Sequence, residues 1–246
     1  MLEKNLELEE IGSIDRQTEH TTVMPLFGDS MMDIAIDESK LNLENIPILA
    51  LRDVVPFPGI TVPLSVGRFK SLCLVQEVVQ KGKYFALITQ RNSAEDPTAE
   101  DLYEYGTIAE VVKELEMPDG THSVIVQVRR LCKLLKLTQT EPYLAGKVAM
   151  LEEGPLNDKR RTVKAMLSVI RNDIHEMAGY NDDNLSQEML FSLNNIKDNT
   201  YFINYLCSAF PLSTMHREIL LEITNYEDRL FALAQMVGKQ LDYSRI

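Results

Sequence analysis

The hydrophobic rhythm of this chain changes once, at Gly154-Pro155, and that change constrains the fold more than any other feature of the sequence. Before it, short apolar runs of strand length are parted by glycine, proline and polar clusters. After it, apolar residues recur at helical spacing as far as Ile246. Such a chain is α+β, with its strands and helices segregated along the sequence. Its 246 residues leave room for two units of this kind.

The β part begins at Ile46. Residues 46–51 and 60–66 read as strands, parted by Pro56-Phe57-Pro58-Gly59, where two prolines and a glycine force a turn. Pro63 has no amide donor, which places its strand at an edge or at a bulge. Over 69–81 the spacing of Phe69, Leu72, Val75, Val78 and Val79 predicts a helix, with Gly82 at its C-cap. Further strands are expected over 84–89, 106–115, 123–128, 131–137 and 144–151, with a hairpin turn at Pro118-Asp119-Gly120. Hairpin spacing with a lone early helix predicts a small, mostly antiparallel barrel or curled sheet. Helices are then expected over 158–178, 185–193, 199–209 and 215–223. A last one, capped by Asn225, carries Leu230, Leu233, Val237 and Leu241.

Charge is uneven. Residues 1–45 hold 11 acidic and 3 basic side chains, so two thirds of the net charge of -12 sits there. That stretch reads as a flexible acidic leader. Residues 46–150 are balanced, which makes nucleic acid an unlikely partner. Arg129, Arg130, Lys133, Lys136 and Lys147 form a local basic cluster, read as a solvated sheet face. The run Lys159-Arg160-Arg161 opens a helix, where positive charge is unfavourable, and points to an acidic contact.

No apolar run is long enough to cross a membrane, and the acidic start is not a secretory signal. Cys73, Cys132 and Cys207 form no CxxC pair, so a reducing, cytoplasmic setting is expected, with the cysteines in the core. Phosphate-cradle, HExxH and GxSxG motifs are absent, and His20, His122, His175 and His216 are scattered. Ser213 and Thr214 read as a helix cap. The sequence therefore offers no catalytic residue and no metal ligand.

One stretch is specific. Ile46-Pro47-Ile48-Leu49-Ala50-Leu51-Arg52-Asp53-Val54-Val55-Pro56-Phe57-Pro58-Gly59, then Val62-Pro63-Leu64, Val66-Gly67-Arg68 and Ser71, resembles the opening of the N-terminal domain of Lon proteases. Ile46 and Ala50 stand where the family usually has leucine and proline. The likeness continues through Gln90, Gly106-Thr107-Ile108-Ala109, Arg130-Leu131 and Asp228-Arg229-Leu230. It implies a domain like those of pseudouridine synthases and archaeosine transglycosylases (PUA-like) over 46–153, mostly antiparallel β with one or more helices. An all-α bundle ending in a long helix would follow over 154–246. It also implies a non-catalytic region of an ATP-dependent serine protease, one that recognises unfolded or damaged proteins and helps assemble a homohexamer. ATP and magnesium would then serve modules outside these residues. A free-standing adaptor and a nucleic-acid-binding PUA-like module are the alternatives.

Within that reading, Arg52, Asp53, Pro56, Pro58, Gly59, Pro63, Gly67 and Arg68 are expected to hold the fold. Arg52 and Asp53 would pin the strand end, Gly59 and Gly67 would supply unusual torsions, and Arg68 would pair with a carboxylate. A receptor for unfolded chains needs apolar surface. Phe57 and Ile60 in the rigid turn, and Met117 and Pro118 at the hairpin tip, are the candidate substrate-binding residues.

Overall fold

In the computed structural model, which describes residue 31 and residues 34–116, 122–180 and 185–245, the chain is α+β. The strands are β1 (Ile46–Leu51), β2 (Thr61–Val66), β3 (Phe85–Gln90), β4 (Leu102–Glu116), β5 (His122–Gln139) and β6 (Ala145–Met150). Helix α1 (Phe69–Lys81) lies between β2 and β3. Beyond the sheet come α2 (Arg161–Gly179), α3 (Gln187–Asn195), α4 (Asn199–Ala209), α5 (Thr214–Glu222) and α6 (Tyr226–Ser244).

The strand order is β2-β5-β4-β3-β1-β6, and β6 pairs back onto β5, so β5, β4, β3, β1 and β6 close a barrel. Only β1 and β3 run parallel among these pairs. Closure depends on β5. Its first half pairs with β2 and β4 and its second half with β4 and β6, and register shifts along it let the strand bend between the two. The sequence suggests two strands broken at Arg129-Arg130; the structure has one. The two arginines are tolerated mid-strand because Glu110 takes Arg129 and Glu152 takes Arg130 at 2.7 Å.

Alternation along the strands builds two cores. Ile46, Ile48 and Ala50 of β1 and Ala86 and Ile88 of β3 point into the barrel with Ile108, Cys132, Leu144 and Val148. Leu49 and Leu51 of β1 and Phe85 and Leu87 of β3 point outward. There they join Val62, Leu64, Val124, Val126 and the buried faces of the helices in one continuous cluster. Packing therefore runs unbroken across the 153/154 boundary expected from the sequence.

A Cβ at Gly106 would collide with the Leu87 carbonyl oxygen, which is why glycine holds this place in β4. Gly106→Ala is expected to destabilise the fold by about 1–3 kcal/mol, read as a lower urea midpoint.

Helix starts follow the sequence. Ser186, Asp198, Ser213 and Asn225 cap α3, α4, α5 and α6 with their side chains. Gly82 closes α1 at φ 57°. Helix α2 has no such cap, and the acidic contact expected there is Glu227, which pairs with Arg160. At the other end Arg245 pairs with Glu176 at 2.9 Å, so α2 and α6 run parallel.

Expectation and structure differ over the leader. Its described end, 34–45, is not free: Ile36, Leu41 and Leu43 pack on the barrel. Val148 donates its amide to Leu43 O at 2.9 Å and Asp37 donates its own to the Tyr84 hydroxyl at 3.2 Å. The acidic composition hid three apolar residues spaced to plug the barrel surface.

Strand β2 is an edge, as Pro63 requires, and pairs only with β5 among the described residues. Val128 donates to Ile60 O, and the register runs on through Val62↔Val126 and Leu64↔Val124. Even-numbered residues of β2 thus bond to β5, and the nitrogen of Pro63 faces away.

Candidate functional site

Pro56-Phe57-Pro58-Gly59 is the joint between barrel and helices. Phe57 and Ile60 are 0% exposed, so neither offers the substrate surface expected of it. The turn is rigid, as its prolines dictate, but the helical layer covers it. The Pro58 carbonyl accepts from Asn204 Nδ2 on α4 at 2.9 Å, and the Arg229 guanidinium of α6 lies 5.5 Å from the Phe57 ring centre. Positive φ falls at Gly59 (83°) and at Asp53 (56°), not at Gly67. A Cβ on Gly59 would strike the Met31 side chain. Met117 and Pro118 lie outside the described residues.

Behind the turn is a buried polar network. Arg229 donates Nε to Leu220 O at 3.0 Å and Nη1 to Asn204 Oδ1 at 2.8 Å. Its Nη2 reaches Ile223 O at 2.8 Å and Glu153 Oε1 at 2.7 Å. Tyr226 donates to Glu153 Oε2 at 3.0 Å and accepts from Asn204 Nδ2 at 3.0 Å. Burial, with the Glu153 carboxylate beside it, pushes the Tyr226 phenol up, so it stays a donor. Each group present is satisfied, which suits a structural joint.

A different place is open. Ile48 and Ala50 of β1 and Leu144 form the floor of a cleft of about 280 Å³. Arg68, Phe69, Lys70 and Ser71 at the start of α1 make one wall, and Glu95, Asp96 and Pro97 the other. Phe69 is 75% exposed at the rim. The walls are held by buried Gln90, which accepts from Arg68 Nη1 at 2.7 Å and donates to Ala94 O at 2.9 Å. Arg52 also donates to Ala94 O, at 3.0 Å, and pairs with Glu95 at 3.0 Å. Lys70 bridges Asp96 at 2.6 Å and Glu141 at 2.7 Å.

Two sequence expectations change here. Arg52 anchors the 92–97 loop rather than Asp53. Among the described residues Arg68 pairs with no carboxylate but with Gln90 and the Ala50 carbonyl. Burial, then the nearby Arg52, lowers its pKa. Sequence reasoning missed the cleft because Phe69 fits the apolar face of α1 by spacing. Only its place at the very start of the helix, about one and a half turns before the buried Leu74 and Val75, marks it as free of the core.

The floor of the cleft is aliphatic, and its charged walls are held in place: Lys70 by Asp96 and Glu141, Glu95 by Arg52, and Arg68 by Gln90 and the Ala50 carbonyl. Elsewhere, burial pushes the Cys132 and Cys207 thiols up to about 12. Ser213 lies 2.8 Å from His216 Nδ1, yet the same oxygen caps α5 through His216 N. Burial, followed by Lys239, holds the His216 imidazole below its ordinary value. Four of the five residues of the basic cluster are paired: besides Arg129 and Arg130, Lys133 pairs with Glu104 at 3.1 Å and Lys147 with Glu44 at 2.9 Å.

Residues 45–239 match the family model described as the ATP-dependent protease La (LON) substrate-binding domain. The chain is 34% identical over 220 residues to a Lon protease of Parabacteroides distasonis, covering 89% of this chain and 27% of that one. It is 36% identical over 211 residues to a Lon protease of Porphyromonas gingivalis, covering 85% and 25%. It thus spans about a quarter of the length of these relatives. In fold it is similar to the Lon N-terminal domain protein from Xanthomonas campestris (TM-score 0.56, 19% identity, 77% of this chain and 96% of that one). The N-terminal domain of the Mycobacterium avium complex Lon protease is similar too (TM-score 0.58, 16% identity, 79% and 98%). A barrel locked to a helical layer through the Pro-Phe-Pro-Gly turn, matched along this length, identifies the chain as a member of the Lon substrate-binding domain family.

Proposed function

We propose that this chain recruits unfolded or damaged polypeptides for an ATP-dependent serine protease, and that the cleft between α1 and the 95–97 loop seats their apolar side chains. The observation that carries this reading is an aliphatic floor beneath an exposed Phe69, with walls fixed before any ligand arrives. Unfolded chains share exposed apolar side chains rather than a sequence, and a preformed apolar cleft selects for that property alone. One seated side chain gives modest affinity, and several copies in a homohexamer would raise it through avidity.

In the same reading the barrel is PUA-like, the helices form a bundle closed by the long α6, and the whole protein works in the cytoplasm. Peptide cleavage and the use of ATP and magnesium fall to parts of the protein outside this chain. Among the described residues no three His, Cys, Asp or Glu side chains gather to hold a metal ion.

Phe69→Asp tests the site, because so exposed a residue can be changed without disturbing the core. Binding of a fluorescent, permanently unfolded protein is expected to weaken about tenfold, about 1.4 kcal/mol, with an unchanged urea midpoint. Undiminished binding removes the cleft from the function.

A further inference from the structure

We propose that Glu218 fastens α5 to the barrel as a neutral carboxylic acid, its proton bridging the helix to Thr89 and through it to the β1–β2 turn, so that loss of the proton loosens this contact. Glu218 is buried, and among the described residues no group donates a hydrogen bond to either carboxyl oxygen. The buried Thr89 of β3 stands beside it. The Thr89 hydroxyl lies 2.7 Å from Val54 O, and a carbonyl only accepts, so the single hydroxyl proton is committed there. What Thr89 has left is lone pairs. It can accept a proton from a carboxylic acid and has none to give a carboxylate.

The charged groups around Glu218 supply no substitute. Glu222, on the same helix, repels a carboxylate. Arg91, just beyond β3, gives Nε to Leu102 O at 3.1 Å and lies 4.4 Å over the Tyr103 ring of β4. Burial first, then Glu218 itself, raises the Tyr103 phenol. Lys133 of β5 is held by Glu104 and Arg229 of α6 by Glu153. Arg217, beside Glu218 on α5, gives Nη2 to Phe210 O at 3.1 Å and has Asp53 of the turn as its charged neighbour. Burial above all, with Glu222 adding to it, pushes the Glu218 carboxyl up to about 8.

The sign follows. An unfolded glutamate loses its proton near the ordinary value of about 4.3, while the folded chain keeps it to about 8. Between these values the folded state holds the extra proton. The folded-to-unfolded ratio therefore falls by up to about tenfold per pH unit from this group, and levels off above pH 8. Glu218→Gln keeps the shape and offers an N–H to Thr89 without titrating. The stability gap between E218Q and the parent chain, from urea midpoints, is expected to widen from pH 6 to pH 8 and then stay constant. Parallel pH profiles overturn the proposal.

Carboxyl-carbon NMR of glutamate-labelled parent chain gives a second reading. The resonance missing from E218Q is expected to titrate near pH 8, and titration near 4.5 overturns the proposal equally. Hydrogen exchange at the α5 amides, corrected for intrinsic rate, is expected to quicken above pH 8 in the parent and not in E218Q. Identical exchange in the two overturns the loosening.

Discussion

Replacing Arg229 by methionine is expected to cost the fold about 3–5 kcal/mol, seen as a large drop in the urea midpoint. Arg229 is 0% exposed and makes four hydrogen bonds, one of them to the nearly buried Glu153 carboxylate. Methionine fills similar volume but leaves Glu153 Oε1, Asn204 Oδ1 and the Ile223 carbonyl without the donor that Arg229 gave them, and takes one of two from Leu220 O. The penalty lies in those stranded groups more than in the lost attraction, so the double variant Arg229→Met with Glu153→Leu is expected to recover part of it. Arg229→Lys keeps the charge but cannot reach partners on α4, α5 and the 153 strand end at once, and is expected to fall between. A midpoint unchanged in Arg229→Met would mean that the joint is not held by this network.

Phe57→Ala is expected to cost about 3–5 kcal/mol through the cavity it leaves. Phe57 packs where the outer face of the barrel meets the helices, with Arg229 over its ring. Its loss is expected to reach further than its own contacts. The Pro58 carbonyl that holds Asn204 rides on the same turn, so amide protection along α4 is expected to fall together with that of 54–60. Phe57→Asp is expected to unfold the chain outright, since it buries a carboxylate among apolar side chains beside an Arg229 already committed to Glu153. Had Phe57 been a surface contact for substrate, the same change would have weakened capture and left circular dichroism untouched. Measuring both separates the two roles.

How far the sequence could be read is clear from particular residues. Ser213, Asn225 and Gly82 mark helix ends because capping is local chemistry, settled by a side chain and its own backbone. Pro63 marks an edge because a missing amide proton has one tolerable place in a sheet. Phe57 in a turn is buried and Phe69 in an apolar helical period is exposed, for the same reason. Local spacing cannot say which apolar residue a distant element will cover. Asn204 lies 146 positions beyond Pro58 and Arg229 172 beyond Phe57, and it is they that close over the turn. Likewise the partners of Arg52 and Arg68 lie in the 90–95 loop, and the apolar floor of the cleft comes from strand β1 and Leu144. Whatever depends on pairs far apart in sequence was hidden; the family resemblance supplied the architecture without the side-chain assignments.

The outward nitrogen of Pro63 has a consequence under the proposed role of recruiting unfolded polypeptides. An open sheet margin invites any extended peptide to add itself as another strand, and denatured chains are rich in such peptides. At the centre of β2 the incoming strand would meet a ring carbon where it needs a proton, so growth by templating stalls there. A receptor that seized clients in the cleft, with the neighbouring margin blunted, would hold them side chain by side chain and release them without seeding an aggregate of its own cargo.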